Sequence, residues 1–478
     1  MFRRNRRFSL LLVVLLIILM VSGCSTGEAE EAPISLWVVT EVTPSIGINA
    51  QIQYYIDQFQ TEHPNVTITL DILPYNEPQR TEYVKDLYKT IEAGEGPDIY
   101  LLPNQDIVQS QNYWQIEPLF PDVELAMRAG VFADISQNYN LDMKLGKSAL
   151  QKTVMDAGVV DGSRYVLPLQ YEVNTVYYFP ALINENAELN MENCTVSDLM
   201  QYAIDSGDIS VASSVDSNSS RAHDALITTF SNLIDYDSGE VKLTSDELEE
   251  YLSTYRKFAE IFSSSYQVYG GVYLDNVEKV VDYAPIKVNT LMGGIAFSAF
   301  AKQTGTTLKM APLRTDDGDV IATVAYWGAI GSDCQNVETA YEFLRIFLTE
   351  EAQWKKAYLD ERQYPPQVGY GWPVRFKGAA SHFYSDALKH TNRMDGSLQQ
   401  SYRSIELTDQ DLPVLEADID IVRFHCCNSF YARRQELNDY KNGAVPTNTD
   451  ISVLADSIIQ SIENTYQTNL SSLPSICN

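Results

Sequence analysis

The sequence predicts an α/β fold in two lobes, each a mainly parallel sheet flanked by helices. Three observations lead there. Short apolar runs alternate with amphipathic helical stretches from residue 34 onward, the order that gives a parallel sheet covered by helices. The chain has 478 residues, room for two or three units at about 150 residues each. No long low-complexity linker follows Pro33, as results when a chain crosses between lobes several times.

The elements follow in order. Ile34 to Val39 is apolar and β-branched and reads as a buried strand. Ile48, Ile52, Tyr55, Ile56 and Phe59 recur at helical spacing, and His63-Pro64-Asn65 stops that helix because proline forbids its continuation. Val66, Ile68, Leu70 and Ile72 alternate as in a strand with one buried face. Val84, Leu87, Tyr88 and Ile91 make a second helix, with Gly94 placed to cap its C-terminus. Pro97-Asp98 turns the chain into the strand Ile99 to Leu102. Further on, Arg164 to Leu169 and Val173 to Phe179 read as two strands flanking Gln170-Tyr171-Glu172. Leu226 to Ile261 reads as mostly helical around an Asp235–Gly239 turn. Lys309 to Leu313 and Val320 to Ile330 read as strands on either side of a solvated turn, Thr315 to Asp319. Ala340, Phe343, Leu344 and Phe347 mark one more helix face, and Ile451, Leu454, Ala455, Ile458 and Ile462 another.

The first two dozen residues read as an address. Arg3, Arg4, Arg6 and Arg7 form a basic leader, and Leu10 to Val21 is an unbroken apolar run. Twelve residues fall short of the roughly 20 that a spanning helix needs, and fit the core of a secretory signal. The run ends in Val21-Ser22-Gly23-Cys24, which resembles the bacterial lipobox. That resemblance implies a signal peptide over 1–23, removal before Cys24, and two acyl chains on the new N-terminus, enough for stable anchoring. Residues 24–33 are small and acidic and read as a flexible tether.

Charge excludes some partners. The formal net charge is −30, and loss of the four leader arginines takes it to −34. Such a polyanion repels nucleic-acid phosphates and anionic lipid heads, so no nucleic acid and no membrane contact beyond the anchor is expected. Beyond Cys24 the cysteines are Cys194, Cys334, Cys426, Cys427 and Cys477, an odd number and so no complete disulfide framework. Cys426 and Cys427 read as two unpaired core-facing thiols, with a vicinal disulfide the alternative.

Catalytic motifs are missing from the sequence. The histidines His63, His223, His382, His390 and His425 form no metal-binding spacing, and there is no nucleophile elbow, Walker loop or dinucleotide-binding glycine motif. His425-Cys426 is a poor thiol–base pair, because sequence neighbours point in different directions. Asp316-Asp317-Gly318-Asp319 lacks the spaced ligands and closing glutamate of a calcium loop. Paired glycosidase carboxylates remain open, since 64 acidic residues always offer pairs. The positive signal is aromatic: 30 tyrosines against 17 phenylalanines and 5 tryptophans. Flat amphipathic rings suit sugar faces, the ring giving apolar contact and the phenol a hydrogen bond.

Several segments together resemble one family. They are Ile34-Ser35-Leu36-Trp37 behind the lipobox, Phe59-Gln60-Thr61-Glu62-His63-Pro64, and above all Ala93-Gly94-Glu95-Gly96-Pro97-Asp98-Ile99. Asp161-Gly162-Ser163-Arg164-Tyr165-Val166-Leu167-Pro168 and the helix Ala340 to Gln353 add to them. The chain is similar to the extracellular solute-binding lipoproteins of ATP-binding-cassette (ABC) importers, in the sugar-binding, maltose-binding-protein-like group.

That resemblance implies a two-lobe periplasmic-binding-protein-like clamp with a ligand cleft between the lobes. Lobe 1 would hold 34–166 and 311–349, and lobe 2 would hold 167–310 and the C-terminal helical part 350–478. It implies capture of a solute, a mono- or oligosaccharide, by lobe closure, and delivery to the permease subunits of an importer. The protein would be a monomer with no enzyme activity and no cofactor or metal, lipid-anchored on the outer face of the cell membrane. The expected ligand-facing residues are Thr40 and Glu41 after the first strand, Asn104 and Asp106 after the third, Tyr171 and Glu172 near the crossover, Phe430 and Tyr431 near the family's stacking aromatic, and Trp327 and Trp372. Leu101-Leu102-Pro103 stands where some sugar binders carry an aromatic, a departure that puts a maltose-type oligosaccharide in doubt. A secreted lyase or glycosidase, or a binding protein serving a sensor, are the alternatives.

Overall fold

A computed structural model describes residues 32–41, 47–74, 78–103, 119–178, 180, 189–207, 230, 233–269, 286–290, 307–354, 372–375, 383–385, 389–394, 397–402, 405–407, 419–424 and 450–473. The leader, the lipobox and Cys426, Cys427 and Cys477 lie outside these residues.

The main sheet has nine strands: β1 (Ile34–Glu41), β2 (Val66–Leu73), β3 (Ile99–Pro103), β4 (Val166–Tyr178), β5 (Ile286–Thr290), β6 (Lys309–Pro312), β7 (Ile321–Ile330), β8 (Trp372–Pro373) and β9 (Ile421–Phe424). Its order is β6-β4-β7-β3-β1-β2, with β5 and β8 pairing β4 and β9 pairing β7. The first three strands are parallel, joined by α1 (Gly47–Glu62) and α2 (Gln79–Glu92). Alternation divides β1 between the two faces of the sheet, which together make the first core. Leu36 and Val38 pack with Ile52, Tyr55, Ile56 and Phe59 of α1 on one face. Val39 packs with Leu87 and Ile91 of α2 on the other, so the strand is buried on both faces as parallel strands are. Gly94 follows α2 with φ +72 and donates its N–H to Ile91, the left-handed ending that favours glycine. Asp98 then accepts the Trp37 N–H at 2.8 Å, tying the entry of β3 to β1.

The sheet is mixed where a mainly parallel one was expected. β7 runs antiparallel to both β3 and β4, and β4 antiparallel to β5, β6 and β8. The reason is that β4 leaves the first core and β7 returns to it, and neighbouring strands of a return journey are antiparallel. The two strands expected around Gln170-Tyr171-Glu172 are one thirteen-residue strand. Its register against β7 shifts between Val324 and Trp327, and Pro168 pairs at that irregularity, where a missing N–H is tolerated. Before β4, Asp161 and Gly162 both have positive φ, 51° and 82°, turning a hairpin between Val159–Val160 and Ser163–Arg164.

A separate core surrounds the far end of β4. Val176 and Tyr178 pack with α4 (Val196–Ser206), α5 (Ser245–Tyr269) and α7 (Ile451–Ser472). α4 opens on a capping box, Thr195 and Asp198 each bonding the other's backbone at 3.0 Å. The mostly helical reading of 226–261 is corrected around its expected Asp235–Gly239 turn: Ile234–Asp235 and Glu240–Val241 pair as a hairpin across that turn, and α5 begins only at Ser245. Asp235 accepts the N–H groups of Asp237 and Ser238, and a side chain that bonds its own following backbone favours a turn over a helix. In the first core, α6 (Val337–Leu344) buries Ala340, Phe343 and Leu344, and α3 (Val123–Arg128) buries Val123, Ala126 and Met127.

Candidate functional site

The strand β4 changes cores within four residues: Val173 packs in the first and Val176 in the second. Glu172 stands just before that passage, half-buried. It pairs in register with Thr323 of β7, and Thr323 pairs with Arg423 of β9. Paired residues share a face, and adjacent strands lie about 4.8 Å apart, so a carboxylate, a hydroxyl and a guanidinium form one row about 10 Å across. All three are half-buried, unlike their neighbours Tyr171, Val324 and Phe424, which are buried. A partly solvated row of one acceptor, one hydroxyl and one fork of donors at a core boundary can hold a polyhydroxylated solute by directed hydrogen bonds.

Tyr171 points to the opposite face from Glu172, since successive strand residues alternate. It is 4% exposed, and it pairs with Trp372 of β8, which is also buried. Burial, and then the Glu172 charge, push the Tyr171 phenol above its ordinary range, so it remains a neutral donor. Trp327 is buried in an aromatic cluster, with ring centroids 5.7 Å from Phe132, 6.2 Å from Phe120 and 6.5 Å from Phe424.

Thr40 and Glu41 end β1 and are buried. Thr40 donates to the Leu101 carbonyl at 2.7 Å, and Tyr326 donates to the same oxygen at 3.2 Å. Glu41 accepts from Arg80 at 2.8 Å, and Arg80 also donates to the Pro74 carbonyl at 3.2 Å. The same Glu41 oxygen takes the Leu119 N–H at 3.5 Å. This ion pair therefore ties together the C-terminal ends of β1 and β2 and the chain entering α3. Ligands of open α/β sheets bind beyond such strand ends.

The structure thus places Glu172 in the polar row, Tyr171 and Trp372 side by side on the opposite face of the sheet and buried in the first core, Thr40 and Glu41 at the end of β1, and Trp327 in a core cluster. Asn104, Asp106, Phe430, Tyr431 and Cys24 lie outside the described residues. The sequence reading did not single out Thr323, Arg423 or Arg80. Thr323 and Arg423 carried a signal, each being polar inside an otherwise apolar run, Ile321 to Ile330 and Ile421 to Phe424. Among the described residues no group of three or more His, Cys, Asp or Glu side chains is arranged to hold a metal ion. No described helix is long and apolar enough to cross a membrane. A groove of about 460 Å³ between β2 and α2, lined by Trp37, Asp71, Pro74 and Tyr83 among others, lies apart from the row.

A chain that leaves one α/β core, builds a second and returns has the two-lobe architecture. The chain belongs to the bacterial extracellular solute-binding protein family, whose model matches residues 43–354. It therefore works outside the cytoplasm. Solved structures share the fold at low identity. A periplasmic oligogalacturonide binding protein from Yersinia enterocolitica is 12% identical, with a TM-score of 0.55, over 91% of this chain and 100% of that one. The galacto-N-biose/lacto-N-biose I-binding protein of an ABC transporter from Bifidobacterium longum is 12% identical, with a TM-score of 0.51, over 92% and 98%. A de novo designed cysteine esterase, ECH19, is 13% identical, with a TM-score of 0.53, over 92% and 99%. No curated protein matches the chain.

Proposed function

We propose that this protein is a lipid-anchored binding protein that captures a carbohydrate between its two cores and delivers it to an ABC importer. The observation that carries the reading is the Glu172–Thr323–Arg423 row at the core boundary of a chain in this family. Closure of the two cores would bring the row to the solute, the carboxylate and guanidinium fixing its hydroxyls, while the buried rings of Tyr171 and Trp372 back the strand from the other face of the sheet. Asn104, Asp106, Phe430 and Tyr431 complete the proposed ligand set, and Glu41 orders the strand ends behind it. Sugar-binding proteins among the fold's neighbours support a carbohydrate, and the lipobox at Cys24 supports the anchor.

The protein is proposed to bind without turnover. Cysteine catalysis, which the designed esterase of the same fold brings to mind, finds little support in the described thiols. Cys194 and Cys334 are buried, and burial pushes both up to about 12, leaving almost no thiolate at neutral pH. Two experiments test the reading. The soluble fragment 25–478 is melted with maltotriose, lacto-N-biose and digalacturonate; a stabilised transition with one of them and no new reducing ends supports it, and steady turnover overturns it. Cys24→Ala should move the full chain from the membrane fraction to the soluble one; continued need for detergent would refute the anchor.

A further inference from the structure

The two cores also meet through residues outside β4 and β7. α3 belongs to the first core through Val123, Ala126 and Met127. The hairpin of Ile234–Asp235 and Glu240–Val241 belongs to the second through Leu233, Ile234 and Val241. Between them Tyr236 donates its phenol O–H to Asp122 Oδ2 at 2.9 Å, and Arg128 Nη1 lies 3.0 Å from Asp237 Oδ1.

Each side of this contact is held by its own core. Asp122 is 3% exposed, and its Oδ1 accepts the Leu125 N–H at 3.0 Å, so one carboxylate both caps α3 and reaches across. Arg128 is steadied by Glu124 one turn earlier, at 3.0 Å. Opposite them, the Tyr236 ring meets Tyr466 of α7 edge-on, with centroids 6.2 Å apart. Gly239, at φ +74, leaves the space that Tyr466 occupies: a Cβ there would stand 3.1 Å from its ring. The bridging atoms are polar, so parting them uncovers little apolar surface. Polar interfaces of this kind allow domains to move, where large apolar ones weld them.

We propose that Asp122–Tyr236 and Arg128–Asp237 form a latch that holds the two cores in the arrangement described here and must be released or remade when the cores move. The inference rests on the reading of the chain as a protein that closes on its ligand. The two bonds contribute unequally. Asp237 is 83% exposed, and exposed ion pairs are weak. The bond to buried Asp122, shielded from water, carries most of the latch.

The test uses the ligand-free soluble chain 25–478. Tyr236→Phe removes the phenol oxygen alone and keeps the ring on Tyr466. It should lower the ratio of latched to unlatched molecules by about tenfold, the equivalent of about 1.4 kcal/mol. The readouts are small-angle scattering, which should move away from the profile of this arrangement, and amide exchange, which should quicken in both Val123–Arg128 and Ile234–Val241. Asp237→Asn should give the same changes, smaller. Unchanged scattering, with faster exchange confined to the hairpin, would overturn the latch and mark the bond as local. If Tyr236→Phe melts early, the pair Arg128→Gln with Asp237→Asn decides on the same readouts. Failure of the underlying reading shows separately, as parent scattering that none of the three sugars changes.

Discussion

The first core takes three parallel strands and two helices from one stretch, Ile34 to Pro103, and closes over them with β4, β7 and α6. The second core gathers residues 176–203, 233–258, Leu313 and 454–462 from four separate parts of the chain. In the first, the strands and helices of 34–103 find partners within that stretch before Tyr55 and Phe59 meet Phe347 and Phe343 far along the chain, so over 34–103 the local period and the fold agree. In the second, α5 and α7 have partners two hundred residues distant, and local pattern alone does not say what they pack on. The first core also buries charge where the second, among its described residues, buries aliphatic and aromatic groups almost throughout. The two should therefore fail differently when a single side chain is removed.

The largest expected effect lies at the buried ion pair of the first core. Arg80 and Glu41 side chains are 2% and 4% exposed. Arg80→Met leaves the Glu41 carboxylate buried with its cation gone, which costs about 3–5 kcal/mol. Adding Glu41→Leu to Arg80→Met should recover most of that loss, because apolar groups of similar volume often replace a buried pair without penalty. Urea unfolding followed by tryptophan fluorescence reads both variants. A single variant within about 1 kcal/mol of the parent would show that water reaches the pair.

The second core should respond to lost volume. Ile458 on α7 is fully buried among Leu199, Leu248 and Tyr255. Ile458→Ala should cost about 2–4 kcal/mol, the transfer of the lost methyls plus the cavity left behind. If the cores are separate cooperative units, calorimetry of this variant should split into two transitions, with the first-core one unmoved. One transition lowered as a whole would show that the latch and the β4 crossover merge the cores thermodynamically.

Legibility follows the same division. The β-α-β-α-β order of residues 34–103 could be read almost to the residue, because each strand is short and wholly apolar or strictly alternating and each helix has a stop signal. Gly94 could be read because a helix that ends before a strand needs a residue at positive φ. The turn at Asp235–Gly239 could be read, but the two-residue strands on either side of it could not, since the apolar residues of Leu226 to Ile261 fit a helix and a two-residue strand has no period of its own. β4 was split in two because Gln170-Tyr171-Glu172 looks like a polar interruption, whereas these residues continue the ladder, pairing with Tyr326, Val324 and Thr323 of β7. At the candidate site, Glu172 could be singled out by resemblance, falling four residues after Pro168 on a family position that can carry a sugar-contacting carboxylate. Its row partners Thr323 and Arg423 depend on strand order across the sheet, which no local period encodes. The Arg80–Glu41 pair spans 39 positions and was equally invisible.

The smallest effect on stability, and the sharpest test of where the cores meet a ligand, is Glu172→Gln. The substitution keeps the shape and one acceptor and removes the charge. Glu172 is half-buried on a strand whose backbone pairs on through Thr323, so the fold loses no ladder bond. A charged acceptor in a dry cleft is worth about 1.5–3 kcal/mol per hydrogen bond, and a neutral one about half of that. Affinity for whichever of the three sugars stabilises the parent most should therefore fall about tenfold, equivalent to about 1.4 kcal/mol, by calorimetry. The melting temperature of the empty protein should stay within about 2 °C of the parent, since a half-exposed charge adds little to folding. Unchanged affinity with a lower melting temperature would make Glu172 a structural partner of the β7–β9 row and not a ligand contact.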